Sequence, residues 1–206
     1  DAPRGLGAIA KSLSMDMRSE DTSWLKAKLE SLQRVAGEDG FEMPCPFDGA
    51  VKFMPSSVAA LASIVKARCE QLGIFEGEGA SPIFDSLMSP KEPKTGTDGT
   101  MAWAVDVSNP ATGDDLCMFV KELVLPDGTR RPYSVWLAGS YPRVLDGLCK
   151  SLSFDMRVVD PAWVGAKLRQ IADFSEVRGD FFGKVPGSNK SENQPSTIAY
   201  LAKLIL

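Results

Sequence analysis

The chain has 206 residues, 44% of them hydrophobic and 24% charged, with a formal net charge of −4. That length can bury a real core as one domain or two small ones, and the charge gives no whole-chain pull toward nucleic acid or membrane. No apolar run is long enough to span a bilayer, no signal-peptide pattern opens the chain, and there is no histidine, which excludes Ser-His-Asp and Cys-His nucleophiles and His-ligated metals.

The expected setting is the cytoplasm, with no membrane and no DNA as partner. The first residue is Asp1 rather than Met, so the sequence reads as a fragment or a processed form. The four cysteines, Cys45, Cys69, Cys117 and Cys149, form no CxxC pair, so neither a zinc ribbon nor a disulfide framework is expected.

In chain order, the first predicted element is a helix from about Pro3 to Arg18, with Leu6, Ile9, Leu13 and Met17 along one face. A second helix follows a cap at Asp21 or Thr22 and buries Leu25, Leu29 and Leu32. A Pro-rich loop, EMPCPFDG, leads to a third helix that opens at Pro55-Ser56 and ends before Gly73. The stretch from Glu76 to Thr100 reads as linker by its composition.

Beyond it the period changes to two. Met101, Trp103, Val105 and Val107 alternate with smaller or polar residues, and Cys117–Leu125 and Arg131–Ala138 complete a three-stranded meander. Pro126-Asp127-Gly128 marks its second turn. Three helices then follow, from about Pro142, from Asp160-Pro161, and from Pro195-Ser196, with the loop GKVPGSNKSENQ before the last.

KSLSMDMR at Lys11–Arg18 returns as KSLSFDMR at Lys150–Arg157, 139 positions later. At the same offset Ala2-Pro3-Arg4 meets Tyr141-Pro142-Arg143, Trp24 meets Trp163, and Ala27-Lys28-Leu29 meets Ala166-Lys167-Leu168. After a slip of one residue, Pro55-Ser56 meets Pro195-Ser196. This is a tandem duplication. The fold class is therefore α+β, a duplicated module of small antiparallel sheet plus three helices, with the first copy lacking its strands. The first repeat covers 1–75, the linker 76–100 and the second repeat 101–206. Without strands of its own, the first repeat must lay its helices on the second repeat or on a partner, and the protein is expected to continue upstream.

Arg4, Lys11 and Arg18 recur every seven residues, and Arg143, Lys150 and Arg157 repeat them. Seven residues is nearly two turns, so each triplet forms a stripe about 140° around from the Leu6/Leu13 face. Two readings stay open: a grip on nucleotide phosphates or an acidic partner surface, or a solvated face paired with nearby carboxylates. Asp16 and Asp155, each between two apolar residues, are expected to cap or orient a neighbouring loop, and Trp24 and Trp163 to anchor the core. Cys45, between two prolines, is the one cysteine outside a regular element. GSNKS at 187–191 lacks the glycine that a phosphate loop needs before its lysine.

The order RPYSVWLAGSYPR, KSLSFDMR, DPAWVGAKL and a Pro-Ser helix resembles the TSCPD-type module found toward the C-terminus of adenosylcobalamin-dependent (class II) ribonucleotide reductases. The resemblance covers both copies, roughly 1–72 and 101–206. It implies an accessory segment supporting assembly, docking or turnover of an enzyme that reduces ribonucleotides to deoxyribonucleotides. The expected partner is the catalytic domain of the same reductase. Adenosylcobalamin is expected in that domain, and neither a cofactor nor a catalytic residue in this segment. The family's Thr-Ser-Cys-Pro-Asp is Lys52-Phe53-Met54-Pro55-Ser56 in one copy and ends Asn193-Gln194-Pro195-Ser196 in the other, so no role for its cysteine carries over. The alternatives are a nucleotide-sensing domain using the basic stripes, or a purely structural interaction module.

Overall fold

The computed structural model describes residues 2–19, 22–76 and 96–206. Most of the predicted linker and the predicted cap Asp21 lie outside these residues. The first repeat is α1 (Leu6–Asp16), α2 (Ser23–Leu32), β1 (Phe41–Pro44), β2 (Val51–Met54) and α3 (Ser57–Gln71). The second is β3 (Ala102–Asn109), β4 (Asp114–Val124), β5 (Arg130–Ser140), α4 (Val144–Val158), α5 (Pro161–Ile171), β6 (Phe181–Lys184), β7 (Ser191–Gln194) and α6 (Thr197–Ile205). The architecture is α+β. Among the described residues no helix is long and apolar enough to cross a membrane.

The predicted meander is an antiparallel sheet in the order β3-β4-β5, with Val105 opposite Met118 and Val120 opposite Val135. A bulge at Lys121/Glu122 shifts the β4–β5 register. Gly139 closes β5 at φ +122°, where a Cβ would meet the Asp115 carbonyl, so only glycine fits. The two segments predicted as loops, EMPCPFDG and GKVPGSNKSENQ, instead carry strands of the hairpins β1–β2 and β6–β7, paired Phe41 to Met54 and Phe181 to Gln194. Their strands are only four residues long, and β1, β2 and β7 show no alternation of burial, with Phe41, Val51 and Phe53 exposed; β6 does alternate, with Phe181 and Gly183 buried and Phe182 and Lys184 exposed.

The starts of α3, α5 and α6 follow the predicted chemistry. Asp160 accepts the Ala162 amide at 2.7 Å, and Pro161 opens α5. Ser56 accepts the Ala59 amide and donates to the Val35 carbonyl at 2.6 Å, and Ser196 does the same with Ala199 and Phe174. Each serine thus ties a third helix to the end of the second. Thr22 precedes α2 but does not cap it; its hydroxyl donates to the Ile74 carbonyl.

The two repeats share one core. Leu25, Leu29 and Leu32 of the first and Val164, Leu168 and Ile171 of the second belong to a single buried cluster. α1 packs on α4 and α5, and α2 packs on α3 and α4. Gly147 of α4 sits where a Cβ would strike Val58 of α3, which lets the helices approach closely. The first repeat therefore lays its helices on the second, the first of the two expected solutions.

Candidate functional site

Asp16 and Asp155 do not cap loops. Each lies near the end of its long helix and meets the lysine twelve residues on, Lys28 on α2 and Lys167 on α5. The arrangement also crosses between repeats: Lys28 bonds Asp155, and Lys167 bonds Asp16. The Lys28 ammonium is 2.6 Å from Asp16, and that of Lys167 is 2.5 Å from Asp155. All four side chains are 0% exposed. Exchange of identical partners between equivalent elements is the signature of an isologous interface, here inside one chain. The Trp24 ring closes the site, 4.7 Å from the Lys28 ammonium and 5.5 Å from that of Lys167.

Two carboxylates and two ammoniums leave the quartet neutral, which is the condition for burying charge. Burial opposes ionisation of Asp155, but Lys167 and Lys28 outweigh it and hold the carboxyl below the ordinary carboxylate range. Burial likewise opposes the charge of Lys167, and contact with Asp155 and Asp16 holds that ammonium above its usual range. At the other two groups burial prevails over the opposite charges, raising the Asp16 carboxyl and lowering the Lys28 ammonium. The quartet is neutral wherever the proton between those two sits, and it clasps the two repeats together.

The six basic residues of the two stripes do not converge. Arg4 forms a two-point ion pair with Asp114, one contact at 2.9 Å, and lies 3.6 Å from Glu176. Asp114 also accepts from Thr112 and Thr197, and Asn109 donates to Thr197 and to the Gly179 carbonyl. Arg4 therefore pins the first repeat to the sheet and to α6. Arg143 stacks on Tyr141 and donates to its hydroxyl. Arg157 is buried and donates to the Tyr133 carbonyl at 3.2 Å, so it belongs to no solvated face. Lys11 is half-buried on α1, and Arg18 is exposed in the turn that follows it.

Lys150 and Arg157 do meet, in a groove of about 690 Å³ between α4 and the sheet, lined also by Lys121, Ser134, Trp136 and Cys149. Burial, then Arg34 and Arg157 as like charges, push the Lys150 ammonium below its usual range. Trp136 stacks on Phe119 with ring centroids 5.1 Å apart, and Lys121 lies over the same indole. Burial, then Asp146, raises the Cys149 thiol to about 12, so it offers no nucleophile. Cys45 lies in the turn after β1, outside regular structure as expected.

Sequence reasoning paired the lysines of the AKL strings without giving them a role. The signal was present: an aspartate between apolar residues and a lysine twelve positions on, repeated whole. Comparison with known proteins gave no matching family model, no matching curated protein and no matching solved structure.

Proposed function

We propose that this chain is a non-catalytic accessory segment of an adenosylcobalamin-dependent ribonucleotide reductase in the cytoplasm, serving assembly, docking or turnover of the catalytic domain. The observation that carries this reading is the clasp. The repeated Asp16, Lys28, Asp155 and Lys167 are fully buried and ion-paired with one another, and so hold two repeats in one body. A body whose repeated charges serve architecture works through its surface. The order of TSCPD-type motifs supplies the parent enzyme, whose catalytic domain would hold the cobalamin and reduce ribonucleotides. Co-purification and turnover assays test it: the chain should bind the catalytic portion or change its activity, and failure of both would sink the reading.

A second reading has its own support, the cationic groove of Lys121, Lys150 and Arg157 beside Trp136. An anion there would relieve the repulsion on Lys150, and an aromatic wall suits a nucleobase. Calorimetric titration with ATP, dATP and ribonucleoside diphosphates separates the two, because heat that vanishes in Lys150→Met would favour nucleotide sensing.

A further inference from the structure

α4 shows what its duplicate is built to hold. The Ser153 hydroxyl accepts the Val135 amide at 2.9 Å and donates to the Val135 carbonyl at 3.1 Å. Both backbone groups that β5 presents at that residue are thereby satisfied. One helical turn on, Arg157 donates to the Tyr133 carbonyl, two residues along the same strand edge, as the strand period requires. From the strand, Arg131 answers by donating to the Met156 and Val159 carbonyls at the end of α4. An open sheet edge is a row of unpaired donors and acceptors, and α4 covers this one with a serine and an arginine.

α1 carries the same equipment. Ala10, Ser14, Met17 and Arg18 stand where α4 has Cys149, Ser153, Met156 and Arg157. Among the described residues no strand lies along it. The Ser14 hydroxyl turns back to the Ala10 carbonyl at 2.9 Å, and among the described residues it meets no strand backbone as Ser153 does. Met17 is 39% exposed, whereas Met156 is 2% exposed. α1 ends at Asp16, whereas α4, with Arg131 on its last carbonyls, runs on to Val158. The joint is retained as well: Ala2-Pro3-Arg4 matches Tyr141-Pro142-Arg143, the link that carries β5 into α4.

We propose that α1 is a receptor for the edge strand of a three-stranded antiparallel meander of the β3–β5 kind, joined to it through Pro3 in the same polypeptide. Ser14 takes the amide and carbonyl of one edge residue, and Arg18 takes the carbonyl two residues before it. The inference rests on the internal duplicate and does not depend on the parent enzyme, so it can fail while the reductase reading stands, and the reverse.

The test appends a second copy of residues 101–140 directly ahead of Ala2 in the full chain. Limited peroxide oxidation, read by peptide mass, should then modify Met17 at least about fivefold more slowly, close to the rate of Met156, and the melting midpoint should rise. Two changes in the fusion should each reverse the protection: Ser14→Val, and proline at the Val135 position of the added copy, which removes the donated amide. Unchanged Met17 oxidation would overturn the proposal. So would protection that survives both changes, and so would an added copy that stays unfolded, because α1 would then not receive it.

Discussion

Lys28→Met is the most informative single change in the clasp. The Lys28 ammonium contacts Asp16 at 2.6 Å and also Asp155, with no exposure on any partner. Its removal leaves two buried carboxylates facing Lys167 alone and gives the site a net negative charge. Removing one member of a buried ion pair costs about 3–5 kcal/mol, a large share of the roughly 5–15 kcal/mol that stabilises a domain. With a urea slope of about 3 kcal/mol per molar, the midpoint should fall by about 1–1.7 M. Adding Asp155→Asn restores neutrality, so the double variant should be less unstable than the summed singles by about 1–3 kcal/mol. Replacing all four groups by apolar residues of similar size should bring stability back to about that of the parent or above it. A cost below about 1 kcal/mol for Lys28→Met, or strict additivity with Asp155→Asn, would refute the buried, cross-paired arrangement.

Three further outcomes follow from named contacts. Ser56→Ala and Ser196→Ala each remove a helix cap and a bond to a carbonyl just beyond the preceding helix, so each should cost about 2 kcal/mol in urea denaturation; a loss of a few tenths would argue against the double role. The Glu176 side chain is 5% exposed, and burial lifts its carboxyl above the ordinary value, with Arg4 opposing and Asp114 reinforcing. A raised carboxyl binds its proton more tightly when folded, so stability falls as pH rises from the unfolded value through the folded one. Glu176→Gln should therefore be more stable than the parent at neutral pH, with the gap narrowing as pH falls through the raised folded value and closed below about pH 4; a gap that does not change with pH would contradict this. In a thiol titration at pH 8, Cys149 should stay unmodified in the folded protein, because burial raises its thiol to about 12, and should react once urea unfolds the chain.

The duplication, the six helices and the meander were legible because each rests on local chemistry. Pro161 behind Asp160, the two Pro-Ser starts and the Pro126-Asp127-Gly128 turn all act within a few residues. The hairpins β1–β2 and β6–β7 were not legible: their strands have four residues each, β1 and β2 leave apolar side chains exposed, and the alternating burial of β6 falls on Phe181-Phe182-Gly183-Lys184, whose residue types do not alternate. Met17 was expected in the core because its helical position is right. It is 39% exposed, one residue past the end of α1 at Asp16, whereas Met156 lies within α4 and is 2% exposed.

The site was harder to read because its pairings are long-range. Lys167 meets Asp16 across 151 positions, and Arg4 meets Asp114 across 110. Spacing within a helix identified the basic triplets but not their fates. Tertiary partners sent Arg4 to a carboxylate and Arg157 to a strand edge, while Arg143 turned to Tyr141 two residues before it.

The central claim is that two repeats form one body closed by the clasp. Native-state hydrogen exchange in increasing urea tests it directly. The slowest amides of α1 and α2 should merge with those of α4 and α5 into a single global opening of equal free energy and equal urea slope. Two separate openings, one for each repeat, would contradict it.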